Sequence, residues 1–221
     1  MVVDLILILI PIGIALGASA YIKSTGKKMS KITNSKGLTG EEVARKLLDE
    51  NGLTNSYVVK IDGVLTDHYD SKRKVVRLST AVYEEDSITS IAVAAHEVGH
   101  AIQDKQDNLY YKIRQMLAPI ASISSKGSYV AIIIGLIAGM TDLLWLGIFL
   151  LGAVLIFQIA TLPVEFGASK LALDELEKNK MMTNKDKPLV EKMLKAAAYT
   201  YVAAVIATAI NMLRLILLSR S

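Results

Sequence analysis

Four apolar runs alternate with two polar segments along the 221 residues of this chain. Val2 to Ile22 is almost wholly apolar and meets the ~20 residues that a bilayer-spanning helix needs. Its n-region carries Asp4 and no Lys or Arg, whereas Lys23, Lys27, Lys28 and Lys31 follow the run. That profile favours a retained anchor over a cleavable signal peptide, even with Ala18-Ser19-Ala20 as a possible cleavage site. Leu143 to Ala160 is an unambiguous span. Tyr129 to Met140 is too short alone, so the preceding span is read as Pro119 to Met140, with Lys126 inside it and Thr141-Asp142 as the turn. Ala196 to Leu218 is the fourth run, with Asn211 and Arg214 in its later half and Arg220 just beyond. Arg214 is expected to snorkel toward the interface.

The polar segments carry short amphipathic patterns. Thr39-Gly40-Glu41-Glu42 is a capping box; Val43, Ala44, Leu47 and Leu48 mark an apolar helix face, and Asn51-Gly52 stops the helix. Tyr57 to Ile61 and Lys74 to Ser79 are short and β-branched, so two strands are predicted, with Asp67 to Ser71 as a turn-rich loop between them. A second helix starts near Asp86 or Ser87. There Ile88, Ile91, Ala95, Val98 and Ile102 recur at steps of three and four. After the third span, Val164 to Leu176 reads as a helix and Asn179 to Pro188 as a loop. The resulting plan is an anchor over 1–22, a polar domain over 23–118, a membrane hairpin over 119–162, a second polar part over 163–195 and a last span over 196–221.

The hydrophobic fraction of 52% and mean hydropathy of +0.40 come from the long runs, which points to membrane spans rather than an enriched core. With no Cys, disulfides, thiolate metal sites and Cys nucleophiles are excluded. The net charge of +4 gives no reason to expect a nucleic-acid partner, because topology accounts for it. Fifteen Lys and Arg lie in 23–114 and seven in 162–195, so twenty-two of twenty-five fall in two segments. Four spans put both on one side, and the positive-inside rule makes that side cytoplasmic. The chain is thus expected to be a multi-pass protein of the cell membrane.

Chemistry concentrates in His96-Glu97-Val98-Gly99-His100, an H-E-x-x-H pattern that holds two of the three histidines. Residues four apart share a helix face, so His96 and His100 can offer two nitrogens to one zinc ion, with Glu97 placed to handle protons. Gln103 falls on the same stripe, apart from the core face. Gly99 costs about 1 kcal/mol of helix propensity relative to Ala. A close neighbour, another backbone or a substrate, would explain it; so would tolerance. For a third ligand, the second polar part offers Glu165, Asp174, Glu175, Glu177, Asp186 and Glu191. Glu165 stands out because it begins a helix just after a membrane exit.

The chain resembles the YugP-like membrane zinc metallopeptidases, which share a plan with HtpX and the CAAX prenyl proteases. The likeness runs over nearly the whole chain. It is carried by the anchor, Leu65-Thr66-Asp67-His68-Tyr69-Asp70, Val75-Val76-Arg77-Leu78-Ser79, the His96–His100 motif, two spans and Val164-Glu165-Phe166. The resemblance implies a fold of the α+β class: a mostly helical membrane protein with about four transmembrane helices and a small zincin-like cytoplasmic domain containing a short sheet. It implies Glu165 as the third ligand, from an E-x-x-A-D pattern that this chain departs from at Ser169. It also implies that Val75, Val76, Arg77, Leu78 and Ser79 form an edge strand that binds extended substrate.

The expected activity is that of a zinc endopeptidase with one Zn2+ per chain, held by His96, His100 and Glu165, and Glu97 as general base. Tyr201 is a candidate oxyanion donor, with Tyr199 and His68 as others. Expected partners are a peptide or membrane-protein substrate and the lipid bilayer; the sequence gives no oligomeric state. Two rivals belong to other classes: a non-proteolytic metal-binding scaffold, which would not need Glu97, and a small transporter, which would want ionisable groups at the midplane.

Overall fold

A computed structural model describes residues 2–219, with side chains from Leu5 to Ser219; Arg220 and the Asp4 side chain lie outside the described residues. Among the described residues, seven helices and three strands follow in the order α1 (Val2–Met29), α2 (Gly40–Glu50), β1 (Tyr57–Ile61), β2 (His68–Asp70), β3 (Val75–Ser79), α3 (Thr80–Glu84), α4 (Ile88–Lys105), α5 (Leu109–Ala138), α6 (Thr141–Lys178) and α7 (Lys187–Leu218). Four of these helices, α1, α5, α6 and α7, are long and apolar enough to cross a membrane. The protein is an α+β membrane protein, mostly helical with one small sheet.

Two compact units divide the chain. One comprises Met1–Ser19, Tyr110–Pro163 and Tyr199–Ser221; the other comprises Ala20–Leu109 and Val164–Ala198. We call them the membrane unit and the polar unit.

In the polar unit, local sequence sets each boundary. Thr39 caps α2: its Oγ1 accepts from Glu42 N–H at 3.3 Å, while the Glu42 carboxylate accepts from Thr39 N–H at 2.8 Å. Gly52, at φ +62°, takes the chain out of that helix. Ser87 caps α4 by accepting from Ser90 N–H at 3.1 Å. The apolar stripe of α4 (Ile88, Ile91, Ala95, Val98, Ile102) is buried and packs in one core with Val43, Leu47, Leu48, Val76 and Leu78.

The sheet corrects two expectations. Its order is β1-β3-β2, with β1 parallel and β2 antiparallel to β3. Val75, Val76, Arg77, Leu78 and Ser79 therefore form the central strand, not an edge. β1 pairs with all five residues and β2 with Val75, Val76 and Arg77, so those three are closed on both sides to an added strand. The cause is β2, which the composition of Asp67 to Ser71 disguises as a loop. Tyr69 anchors it by donating to Asp104 Oδ2 at 2.9 Å, and Asp67 Oδ1 accepts from Ser79 N–H at 2.7 Å.

The long helices also differ from the sequence reading. α1 continues past Ile22 to Met29, and Thr25 and Met29 are buried. α5 starts at Leu109, ten residues before Pro119, and α7 starts at Lys187 rather than Ala196. α6 runs unbroken through Pro163, so Glu165 shares a helix with the third span instead of starting a new one. Proline at position 163 costs a backbone hydrogen bond and crowds the carbonyl of residue 159, yet the helix continues through it to Lys178. Between α5 and α6 the turn lies at Gly139-Met140, where Gly139 has φ +65°; Thr141 and Asp142 are already helical.

Candidate metal centre

The polar unit brings three of the expected residues together. His96 and His100, four apart on α4, present their rings edge-to-face with centroids 4.8 Å apart. Glu165 on α6 meets both: its Oε2 lies 3.3 Å from His96 Nε2 and 3.7 Å from His100 Nε2. The potential donor atoms of the trio lie within 4.8 Å of one another. Glu165 is almost fully buried, at 1% exposure, and the two histidine side chains are nearly so.

Two glycines make that approach possible. A Cβ on Gly99 would sit 2.7 Å from the Ala168 carbonyl oxygen and 3.2 Å from Ala168 Cα, so α4 and α6 touch backbone to backbone there. This supplies the close neighbour that Gly99 suggests. A Cβ on Gly167 would sit 2.8 Å from Gln103 Nε2. With that space open, the Gln103 amide donates to the Val164 carbonyl at 2.8 Å.

The Gln103 bond fixes the chemistry of His100. Because Nε2 of Gln103 is committed to Val164, its Oε1 faces His100 Nδ1 at 3.1 Å and can only accept. His100 Nδ1–H then donates to Gln103, and Nε2 faces the Glu165 carboxylate. Ser169 Oγ stands 3.4 Å from His96 Nδ1, in the place where the resembled plan has an Asp. Two imidazole nitrogens and a carboxylate oxygen, all within 4.8 Å of one another, are a donor set of the kind zinc takes. Two imidazoles and a carboxylate also leave one tetrahedral position open.

The other expected residues are placed separately. Glu97 follows His96 on α4 and is buried. His68 is exposed on β2, with Nδ1 2.7 Å from the Thr66 carbonyl, and does not belong to the donor trio. Tyr199 and Tyr201 lie on α7 in the membrane unit. Gln103 and Gly167 were not singled out from sequence as site residues. The signal for Gln103 is its position three residues after His100 on the same stripe; Gly167 carries none without the helix pairing.

Comparison with known proteins accords with this geometry. A family model described as "Putative neutral zinc metallopeptidase" matches residues 4–220. A protein of Bacillus subtilis (strain 168) named "Putative membrane protease YugP" is 40% identical over 207 residues, covering 94% of this chain and 92% of that protein. No solved structure matches the chain.

Proposed function

The chain belongs to this zinc metallopeptidase family, and we propose that it is an integral-membrane endopeptidase whose zinc is held by His96, His100 and Glu165. The observation that carries the reading is the convergence of two imidazole Nε2 atoms on one buried carboxylate oxygen. When bound, zinc supplies a Lewis acid that acidifies a water molecule and polarises the peptide carbonyl. Glu97 accepts the proton of the attacking water on its carboxylate and returns it to the amide nitrogen of the leaving amine. Gln103 and Ser169 hold the Nδ1 sides of the histidines, so that both rings keep Nε2 toward the centre. The developing oxyanion needs a donor, which we seek among Tyr201, Tyr199 and His68.

We place the polar unit on the cytoplasmic side, because twenty-two of the twenty-five Lys and Arg lie in the two segments that four spans put on one side. Its substrates are then peptides or membrane proteins that reach the cytoplasmic face. The retention of Glu97 favours a peptidase over a metal-binding scaffold, since holding a metal needs no such carboxylate.

The test is cleavage of denatured casein by the detergent-purified full chain, wild type beside Glu97→Gln, with zinc quantified in both. Zinc in both and cleavage in the wild type alone is the expected result. Equal cleavage by both proteins would remove Glu97 from the mechanism.

A further inference from the structure

From Met116 to Ala138, α5 carries a single charged side chain, Lys126. The turn at Gly139-Met140 joins α5 to α6 and so marks one membrane surface. Lys126 lies thirteen residues before Gly139, about 20 Å down the helix. In a hydrocarbon core ~30 Å thick, the other surface is then roughly 10 Å further on. A four-carbon stem covers only part of that distance.

Lys126 also sits in the middle of the exposed face of α5. Ser122 and Val130, one turn to either side, are exposed, and so are Ile123 and Tyr129. Beside it an open groove of about 570 Å³ runs between α5 and α6, walled by Ile123, Lys126, Gly127, Val130, Leu146 and Leu150. Among the described residues, the Lys126 ammonium has no hydrogen-bond or ion-pair partner. Asp4 belongs to α1 and is remote from it along the spans. α1 leaves the membrane unit after Ser19 and α5 enters it at Tyr110, so the two run antiparallel. Ile8 to Ala15 flank Tyr129, which puts Asp4 and Lys126 on opposite sides of that level.

An ammonium in a span is costly unless it snorkels, faces water or meets an anion. Depth leaves snorkelling incomplete, and the Ile and Val side chains around Lys126 suit lipid or another helix rather than water. The chain supplies no anion at this depth: residues 5–22, 119–140, 143–160 and 196–218 hold no Asp or Glu. A second copy laid against this face would bring an apolar surface or another Lys126, and neutralise nothing.

We propose that the exposed face of α5 receives a transmembrane helix of another membrane protein, whose Asp or Glu near mid-span pairs with Lys126. Apolar side chains of that helix fill the groove between α5 and α6. Polar pairs of this kind hold helices together in lipid, where apolar contact alone discriminates little. The face holds none of the zinc residues, so it stands whether or not the chain is a peptidase.

The test uses the full chain in phosphatidylcholine vesicles, with its single tryptophan, Trp145, as energy donor. Trp145 adjoins Leu146 of the groove. The probes are synthetic Leu-Ala helices of ~20 residues with a dansyl acceptor and either Glu or Gln near the centre. The Glu probe should quench Trp145 at about tenfold lower concentration than the Gln probe. Lys126→Gln should abolish that preference and Lys126→Arg should keep it. Lys126→Glu should transfer it to a probe with Lys at the same position. Unchanged helical content and melting temperature would show that the variants fold. Equal quenching of the wild type by both probes, or an unchanged preference in Lys126→Gln, would overturn the proposal. Loss of the preference on adding phosphatidylglycerol would overturn it in favour of a lipid anion. A Lys126-dependent dimer in probe-free vesicles would overturn it in favour of a second copy.

Discussion

The two units treat their polar groups in opposite ways. In the membrane unit, buried hydroxyls bond within their own helix: Ser128 Oγ donates to the Ser125 carbonyl at 2.9 Å, and Thr161 Oγ1 to the Phe157 carbonyl at 2.8 Å. In the polar unit, side chains also bond across long stretches of chain. Gln103 reaches Val164, Asn51 reaches Glu175 and Ser35 reaches Asp186. Apolar groups are inverted as well. Ile137 and Phe149 of the membrane unit are 83% and 76% exposed, whereas Ile88, Ile91 and Val98 of α4 are fully buried. A lipid-facing helix must satisfy its polar groups locally, since its surroundings offer none. A water-facing unit can instead use distant partners to fix a site.

The contrast can be broken from either side. The largest effect should come from Glu97→Gln, which leaves the fold and its zinc in place but lowers kcat about 10²–10⁴-fold, as read from steady-state peptide cleavage. Phe149→Lys acts on the membrane unit alone. A lysine at the centre of a span costs about 3 kcal/mol of insertion, so less protein should reach the membrane fraction, with zinc per folded chain unchanged.

Smaller effects sharpen the comparison within the polar unit. Gly99→Ala gains helix propensity but drives a methyl into the Ala168 backbone, so α4 and α6 must separate. Zinc affinity should fall about 10–100-fold in competition with a chelator, and Gln103→Leu should do the same by freeing the His100 ring. The same two variants should leave the membrane unit intact. The smallest effect belongs to Asp186. Burial raises its pKa, but hydrogen bonds from Thr183 and Ser35 outweigh burial and hold it below the usual carboxylate value. Its stabilisation is therefore complete above the unfolded value of about 3.9 and is lost as pH falls through the lower folded value. Asp186→Asn should lower the melting temperature slightly at neutral pH and converge with wild type in acid, which flattens the acid limb of the profile.

Legibility from sequence follows the same division. The spans were legible because hydropathy is local, although their ends were not: Met29, Leu109 and Lys187 mark helices that continue beyond their apolar runs. His96, His100 and the core stripe of α4 were legible for the same reason, since helix periodicity places them without reference to the rest of the chain. Glu165 stood out by its place after the third span, but nothing near it in sequence shows that α6 reaches α4, and its role as a ligand came from the family resemblance. β2 was hidden because Asp, His and Ser suit turns, and the strand forms only against β3. That one hidden strand changed Val75–Ser79 from a sheet edge into a sheet centre. Gln103 showed in sequence only as a neighbour on the histidine stripe, and Gly167 became visible only through its contact with Gln103.

The most direct measurement is zinc stoichiometry by elemental analysis of the full chain purified under zinc-replete conditions, wild type beside Glu165→Ala. One zinc per wild-type chain and little in the variant, at equal helical content, is the expected result. One zinc per chain in both would contradict the assignment of Glu165 and with it the site formed where α4 meets α6.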